Sequence, residues 1–464
     1  MDRKRRGGCG NATAPFFFAG GVLGFDTMRS RAMPRFRAFS GLGEIVMGFA
    51  ELSAWIDGHV EEMVELQVAL AAAPALGPEH GGEGEWEKSR LLEAYLGQHG
   101  FPGPEHFDTP DERVPDGSRP NWAVILPGEG VAPRIWLMTH MDVVPPGDRM
   151  PDGSWAGWDS DPFAVRREGD RLIGRGVEDN QQEMVASVFA VRALIECGVR
   201  PAYPVGLLFV SAEETGSAYG LNHVLREHPE LFDKQDIILV PDGGNEDGSL
   251  IEVSEKSVLW LKFRIKGKQS HGSMPHRGCN AFRAGARLVC ALDAGLPERF
   301  SMQDELYEPP RSTFEPTMHE KNVPNVNTTP GEEVFCFDCR VLPQFDLDEV
   351  LRYVRSQLGR VDAELGTESD LEILNRVDAA PRTPADVPAV GVIQRAVAEV
   401  YGVEGRPMGI GGGTVAVEFR RAGYPVVVWS RTESTAHQTN ESCLISNMVG
   451  DAKVYAHIFC QELP

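Results

Sequence analysis

The sequence predicts an α/β fold: a doubly wound, mostly parallel sheet with an inserted ferredoxin-like α+β unit. Three observations predict it. Short apolar runs of strand length, at residues 135–139, 205–211 and 237–240, alternate with a helical stripe. From residue 257 that alternation gives way to a β-α-β-β-α-β order. Beyond residue 376 the helix-and-strand pattern of the first half resumes.

The elements follow in order. From Met47, the positions Ile56, Val60, Met63, Leu66 and Leu70 recur at helical spacing and predict one helix. A loop rich in Gly, Pro and Glu covers 74–85, and a second helix runs to Gln98. Between the first two apolar runs, Met184, Val188, Val191 and Ile195 form a stripe that Gly198 ends as a C-cap. Strand–helix–strand order of this kind implies parallel strands covered by helices. Residues 258–267 then alternate as a long strand, and Phe282, Ala286, Val289 and Leu292 share one helix face. Strands near 311–317 and 333–341, a helix over 347–358 and a strand over 371–375 complete the inserted unit. A helix at 389–401 and a buried strand at 426–429 return to the larger pattern. The expected divisions are therefore 47–256 and 377–464 for one domain and 257–376 for the inserted one.

Composition narrows the function. Of 464 residues, 42% are hydrophobic and 24% charged, as in a water-soluble globular protein. The formal charge of −23 excludes a nucleic-acid partner, which needs a basic surface. No apolar run reaches the length of a membrane span, so no membrane partner is expected. Eight scattered Cys point to reduced thiols and a cytoplasmic setting. Cys336 and Cys339 fall in a strand, where positions three apart face opposite sides, so they form no zinc pair. Residues 1–46 are expected to be a disordered extension or an over-long gene start. Their apolar stretch from Phe16 is preceded by Asn11, Thr13 and Pro15 and has no clean cleavage site after it.

Acids and histidines gather at the C-terminal ends of the expected strands, where doubly wound sheets place their sites. His140 follows the first strand, with Asp142 two positions on and able to orient its ring. Asp179 lies in a glycine turn before the Met184 helix, and Glu213-Glu214 and Asp242 follow the next strands. His437 sits in Ala436-His437-Gln438-Thr439-Asn440-Glu441. Singly, these read as well as surface pairs, helix caps or acidic turns. Together they form a set of N and O donors that suits zinc. Adjacent glutamates at a strand end suit one ligand and one general base.

These clusters, in this order, resemble the M20 family of metallopeptidases and deacylases over residues 50–460. That family includes succinyl-diaminopimelate desuccinylase, acetylornithine deacetylase, aminoacylase and several dipeptidases. The resemblance implies two divalent ions, zinc first with cobalt or manganese as alternatives. His140 and Asp242 would hold one, Glu214 and His437 the other, and Asp179 would bridge them. Glu213 would be the general base, Asp142 would orient His140, and a cis peptide would follow Asp179. His271, in Gln269-Ser270-His271-Gly272-Ser273, would stabilise the oxyanion, often across a homodimer formed by the inserted lid. Asn327 and Arg340 would contact the substrate or its carboxylate, and Gly411, Gly412, Gly413 and Thr414 would form a glycine loop facing it. Two departures are visible. The family's usual Lys-Gly after the bridging Asp is replaced by Asn180-Gln181-Gln182-Glu183, and the Asp-Ala after the glycine loop by Val415-Ala416. The expected activity is amide hydrolysis of a small N-acyl amino acid, with a dipeptidase or carboxypeptidase as the alternative. A catalytically inactive binding protein is the alternative from another class.

Overall fold

The computed structural model describes residues 42–463, so the expectation for residues 1–46 falls almost wholly outside the described residues. Where the sequence predicts one helix from Met47, there are two, Leu42–Gly58 and Val60–Ala71. The first begins before Met47. They part at Gly58, a weak helix former, and His59, whose φ of −119° and ψ of 19° leave helical geometry. Ile56, Met63, Leu66 and Leu70 still bury into one core.

The central sheet has eight strands. Their spatial order is Glu105–His106, Trp122–Leu126, Val205–Val210, Ile135–His140, Ile237–Val240, Val426–Val428, Leu250–Glu255 and Arg406–Ile410. The middle four run parallel. Trp122–Leu126 and Leu250–Glu255 join them antiparallel, and Arg406–Ile410 lies parallel to the latter at the edge. An edge place suits a strand carrying Pro407. Helices Gln182–Cys197, Pro388–Tyr401 and Ile445–Phe459 cover one face, and a smaller cluster around Trp136, Phe232 and Phe419 fills the other. Both faces are thus dry, which explains strands that read as continuous apolar runs. Gln182–Cys197 ends at Gly198, whose φ is 66°.

A second, antiparallel sheet holds Thr313–His319, Glu332–Val341, Ser257–Lys266 and Glu368–Val377 in that spatial order. Helices Ala281–Arg299 and Leu347–Leu365 pack on it around Leu259, Phe263, Leu288, Phe337, Val354 and Leu358. That cluster is separate from the core of the central sheet.

The register of the central sheet sets the site. His140 lies opposite Val210, and Leu137 opposite both Leu207 and Leu239. The segments that leave these strands, carrying Asp142, Glu213-Glu214 and Asp242, therefore emerge side by side at the carboxyl edge.

Candidate metal centre and active site

Asp179 lies between the two expected histidines. Its Oδ1 is 2.9 Å from His140 Nε2, and its Oδ2 is 3.0 Å from His437 Nε2. His140 Nε2 is also 3.3 Å from Asp242 Oδ1, and His437 Nε2 is 3.1 Å from Glu214 Oε2. Ligand atoms of His140, Asp179 and Glu214 all lie within 4.8 Å of one another, as do those of His140, Glu213 and Asp242. The peptide after Asp179 is cis.

Local folding explains how these chains converge. After Val205–Val210, Ala212 takes a left-handed φ of 56° and turns the chain into the short helix Glu213–Thr215. The backbone N–H groups of Glu213 and Glu214 each donate to the Asp142 carboxylate at 3.0 Å. Asp142 thus bonds the Glu213-Glu214 segment as well as facing His140. Its backbone carbonyl accepts from His140 Nδ1 at 3.0 Å, with the carboxylate 3.5 Å from the same nitrogen. Beneath it, Lys88, fully buried, donates to the Met141 carbonyl at 2.8 Å, and Glu85 pairs with Arg119.

A second arrangement joins the two histidine-bearing regions. The buried Glu441 carboxylate accepts from the N–H groups of Gly176, Glu178 and Asp179 at 3.0–3.1 Å and from Arg175 at 2.6 Å. In return, the Glu178 carboxylate accepts from the backbone of Glu433 and Thr435 and from the Thr435 hydroxyl. The turn that bears Asp179 and the loop that bears His437 are therefore bonded to each other in both directions. Gly176 makes the turn feasible: its φ is 81°, and a Cβ there would meet Val143 at 2.5 Å. His437 itself has a φ of 63°, uncommon for a residue with a Cβ.

The electrostatics favour cations. Burial pushes the carboxyls of Glu213, Glu214 and Asp242 up, Glu214 to about 7, and nearby carboxylates add to the rise for each. Burial also opposes the charge on Asp179 and His140, yet contacts with His140 and His437 hold Asp179 below the ordinary range, and contacts with Asp142, Asp179 and Asp242 hold His140 above it. Contacts with Asp179 and Glu214 push His437 up to about 10. Carboxylates crowd a largely buried site in which two imidazoles, the exposed His437 and the buried His140, are the immediate counter-charge. A pair of divalent ions reverses this balance, keeping the carboxylates ionised and freeing the imidazoles of protons so that they can ligate. The residues present fit such a pair, and a donor set of imidazoles and carboxylates without thiolate suits zinc, cobalt or manganese.

The other expected contacts divide. Arg340 lines the cleft beside Glu213 and Glu214, together with Gly413 and Thr414. Its fork is already engaged: Nε and Nη2 donate to Asp338 at 2.7 and 3.0 Å, and Nη1 to the Gly411 carbonyl at 2.9 Å. Gly412 lines the adjoining cleft. His271 and Asn327 are exposed neighbours, joined where Gly272 N–H donates to the Asn327 carbonyl, and they line neither cleft. The sequence reading missed Glu178, Glu441, Glu85, Lys88 and Arg119. The available signal was an extra Glu beside two expected ligand positions, one before Asp179 and one four after His437.

Residues 136–461 match the family described as Peptidase family M20/M25/M40. An uncharacterized metallohydrolase of Methanocaldococcus jannaschii is 34% identical over 416 residues, which cover 86% of this chain and 99% of that protein. The succinyl-diaminopimelate desuccinylase of Methylocella silvestris is 25% identical over 398 residues, covering 85% and 96%. Among solved structures, human carnosine dipeptidase 1 aligns with a TM-score of 0.67 at 16% identity, covering 89% of this chain and 98% of that one. Among the described residues, no helix is long and apolar enough to cross a membrane.

Proposed function

The chain belongs to Peptidase family M20/M25/M40 and is a metallohydrolase of amide or peptide bonds, and within that class we propose that it cleaves small N-acyl amino acids at a two-metal centre. The observation that supports this best is Asp179, set between His140 and His437 with one oxygen toward each. His140 and Asp242 would hold one ion, Glu214 and His437 the other, with Asp179 shared. When bound, such a pair supplies Lewis acidity, acidifying a water and polarising a carbonyl.

The chain's own groups do the rest. Glu213 lies with His140 and Asp242 at the centre. It takes a proton from the attacking water and returns it to the departing amine. The Asp142 carboxylate holds this segment in place by accepting from the Glu213 backbone N–H. In this reading residues 257–376 act as a lid. His271, exposed at its surface, reaches the developing oxyanion after closure or from a partner subunit, where a donor lowers the barrier.

The second reading is a dipeptidase or carboxypeptidase of the same family, in which Arg340, released from Asp338, would take the substrate's terminal carboxylate. Rates on N-succinyl and N-acetyl amino acids against dipeptides decide between the two. For the mechanism, Glu213→Ala should keep its zinc and lose most turnover; an unchanged rate removes the role given to Glu213.

A further inference from the structure

The start of the helix Trp86–Gln98 reaches under the site from a part of the chain outside residues 136–461, the stretch that matches the family. Glu85 and Lys88, three positions apart and so on one face, are both fully buried there. Lys88 Nζ donates to the carbonyl of Met141, the residue between His140 and Asp142, at 2.8 Å. Glu85 Oε1 accepts from the N–H of Ala212, the residue before Glu213, at 3.4 Å. Arg119, also fully buried, grips the Glu85 carboxylate through Nε and Nη2 and keeps it from turning away.

The segment these residues touch is held from outside. Its backbone N–H groups from 211 to 214 all donate to side-chain oxygens. Ser211 donates to Asn121 at 2.9 Å, Ala212 to Glu85, and Glu213 and Glu214 to Asp142 at 3.0 Å each. Ala212 has a φ of 56°, a conformation that a residue with a Cβ keeps only where its surroundings impose it. Buried charge is also a costly way to fill the space beneath. Apolar side chains of similar volume often serve stability as well as a buried ion pair, or better. They supply neither an acceptor for the Ala212 N–H nor a donor for the Met141 carbonyl.

We propose that Glu85 and Lys88 are positioning residues for the Glu213-Glu214 turn. Glu85 aims the turn from one side, and Lys88 fixes the segment through which Asp142 aims it from the other. The inference rests on the hydrolase reading above and adds to that reaction two residues that act through Ala212 and Met141. A general base must stand within hydrogen-bond reach of the water it deprotonates. A misplacement of about 1 Å costs about 100-fold in rate, so a loosened turn lowers kcat while the substrate contacts that set KM stay as they are.

Two matched double variants of the zinc-loaded full chain separate the bond to Ala212 from the ion pair. Glu85→Leu with Arg119→Met removes the pair and the acceptor. Glu85→Gln with Arg119→Met removes the pair and keeps an acceptor. On whichever N-acyl amino acid or dipeptide the unaltered chain cleaves, the first should lose about 10–100-fold in kcat at unchanged KM and zinc content, and the second should recover most of that loss. Lys88→Met exchanges one unbranched side chain for another, serves if the first double does not fold, and should lower kcat about tenfold at unchanged KM. Equal kcat in the two folded doubles, a change confined to KM or zinc content, or a full kcat in Lys88→Met overturns the positioning role and leaves amide hydrolysis standing. Should the unaltered chain cleave no amide, the hydrolase reading falls, and the visible spectrum of the cobalt-loaded chain decides, because Glu214 sits on the same turn. Bands that move in the first double and return in the second support the role; one spectrum for both doubles overturns it.

Discussion

Replacing Glu441 by Ala removes one end of the bond between the segments that carry Asp179 and His437. Glu441 and Arg175 are 1% and 2% exposed, and the carboxylate accepts from three backbone N–H groups as well as the guanidinium. Truncation strands all four donors in a dry place. Breaking a buried ion pair from one side costs about 3–5 kcal/mol. Each stranded N–H adds up to about 1–3 kcal/mol. These costs do not add fully, because water can enter the space left and the turn can relax. An overall loss of about 4 kcal/mol follows, at the middle of the ion-pair range. Glu433→Ala is the matched control. Its partner Arg171 is 38% exposed, so that pair is worth only about 0–1 kcal/mol. The assay is urea unfolding of the metal-free chain, with zinc titrated into both variants. Glu441→Ala should also bind zinc more weakly, because the turn that aims Asp179 loses its anchor. A loss no larger than that of the control, with zinc affinity unchanged, would refute the positioning role.

Three more predictions concern separate parts of the site. Glu183, buried against Asp451, has its carboxyl pushed well above the usual range, and burial raises Asp451 to about 6. The folded state therefore holds more protons than the unfolded one above pH ~4, and stability falls as pH rises toward the folded values. Glu183→Gln should flatten that fall in urea unfolding between pH ~5 and ~8, and an unchanged slope sinks the assignment. Asp338→Asn should free Arg340 and lower KM for carboxylate-bearing substrates about two- to fivefold, with kcat steady, as fits a half-exposed pair. His271→Ala should lower kcat about 100-fold without altering zinc content, and a wild-type kcat would end its role at the oxyanion.

Much of this was legible because the chemistry sits where strand patterns end. The apolar runs at 135–139, 205–211 and 237–240 are strands buried on both faces, so their ends, and the acids after them, could be read by eye. Strands outside the strand–helix rhythm were missed. Trp122–Leu126 and Leu250–Glu255 pair antiparallel, and Arg406–Ile410 contains Pro407 and Gly409. The helix break at His59 escaped because apolar periodicity runs straight through it. In the site, ligand types advertise themselves by their side chains. Their supports do not: Glu441 bonds mainly backbone N–H groups 262–265 positions away in the chain, and no local pattern marks such a partnership. Arg340 shows the converse. Its position was read, but not that Asp338, two residues earlier on the same face of the strand, would occupy its fork.

The two departures from the family pattern do not act alone in the structure. Gln182 donates to Asp451 at 3.2 Å and to the Arg431 carbonyl at 3.0 Å, while Glu183 accepts from Tyr455. Asp451 in turn accepts from Tyr401 at 2.7 Å and from the Arg431 backbone at 3.2 Å. The residues that stand in place of the usual Lys-Gly thus form the buried start of Gln182–Cys197 and bond the helix Ile445–Phe459. Val415 likewise turns inward, 3% exposed, into the cluster around Phe419. Lys-Gly in place of this run would remove the bonds from Gln182 to Asp451 and from Tyr455 to Glu183, so these positions are expected to change together with 451 and 455. A double-mutant cycle of Glu183→Gln and Asp451→Asn measures this directly. A coupling above about 0.5 kcal/mol shows one network, whereas additive effects would mean that Glu183 and Asp451 are neighbours without interdependence.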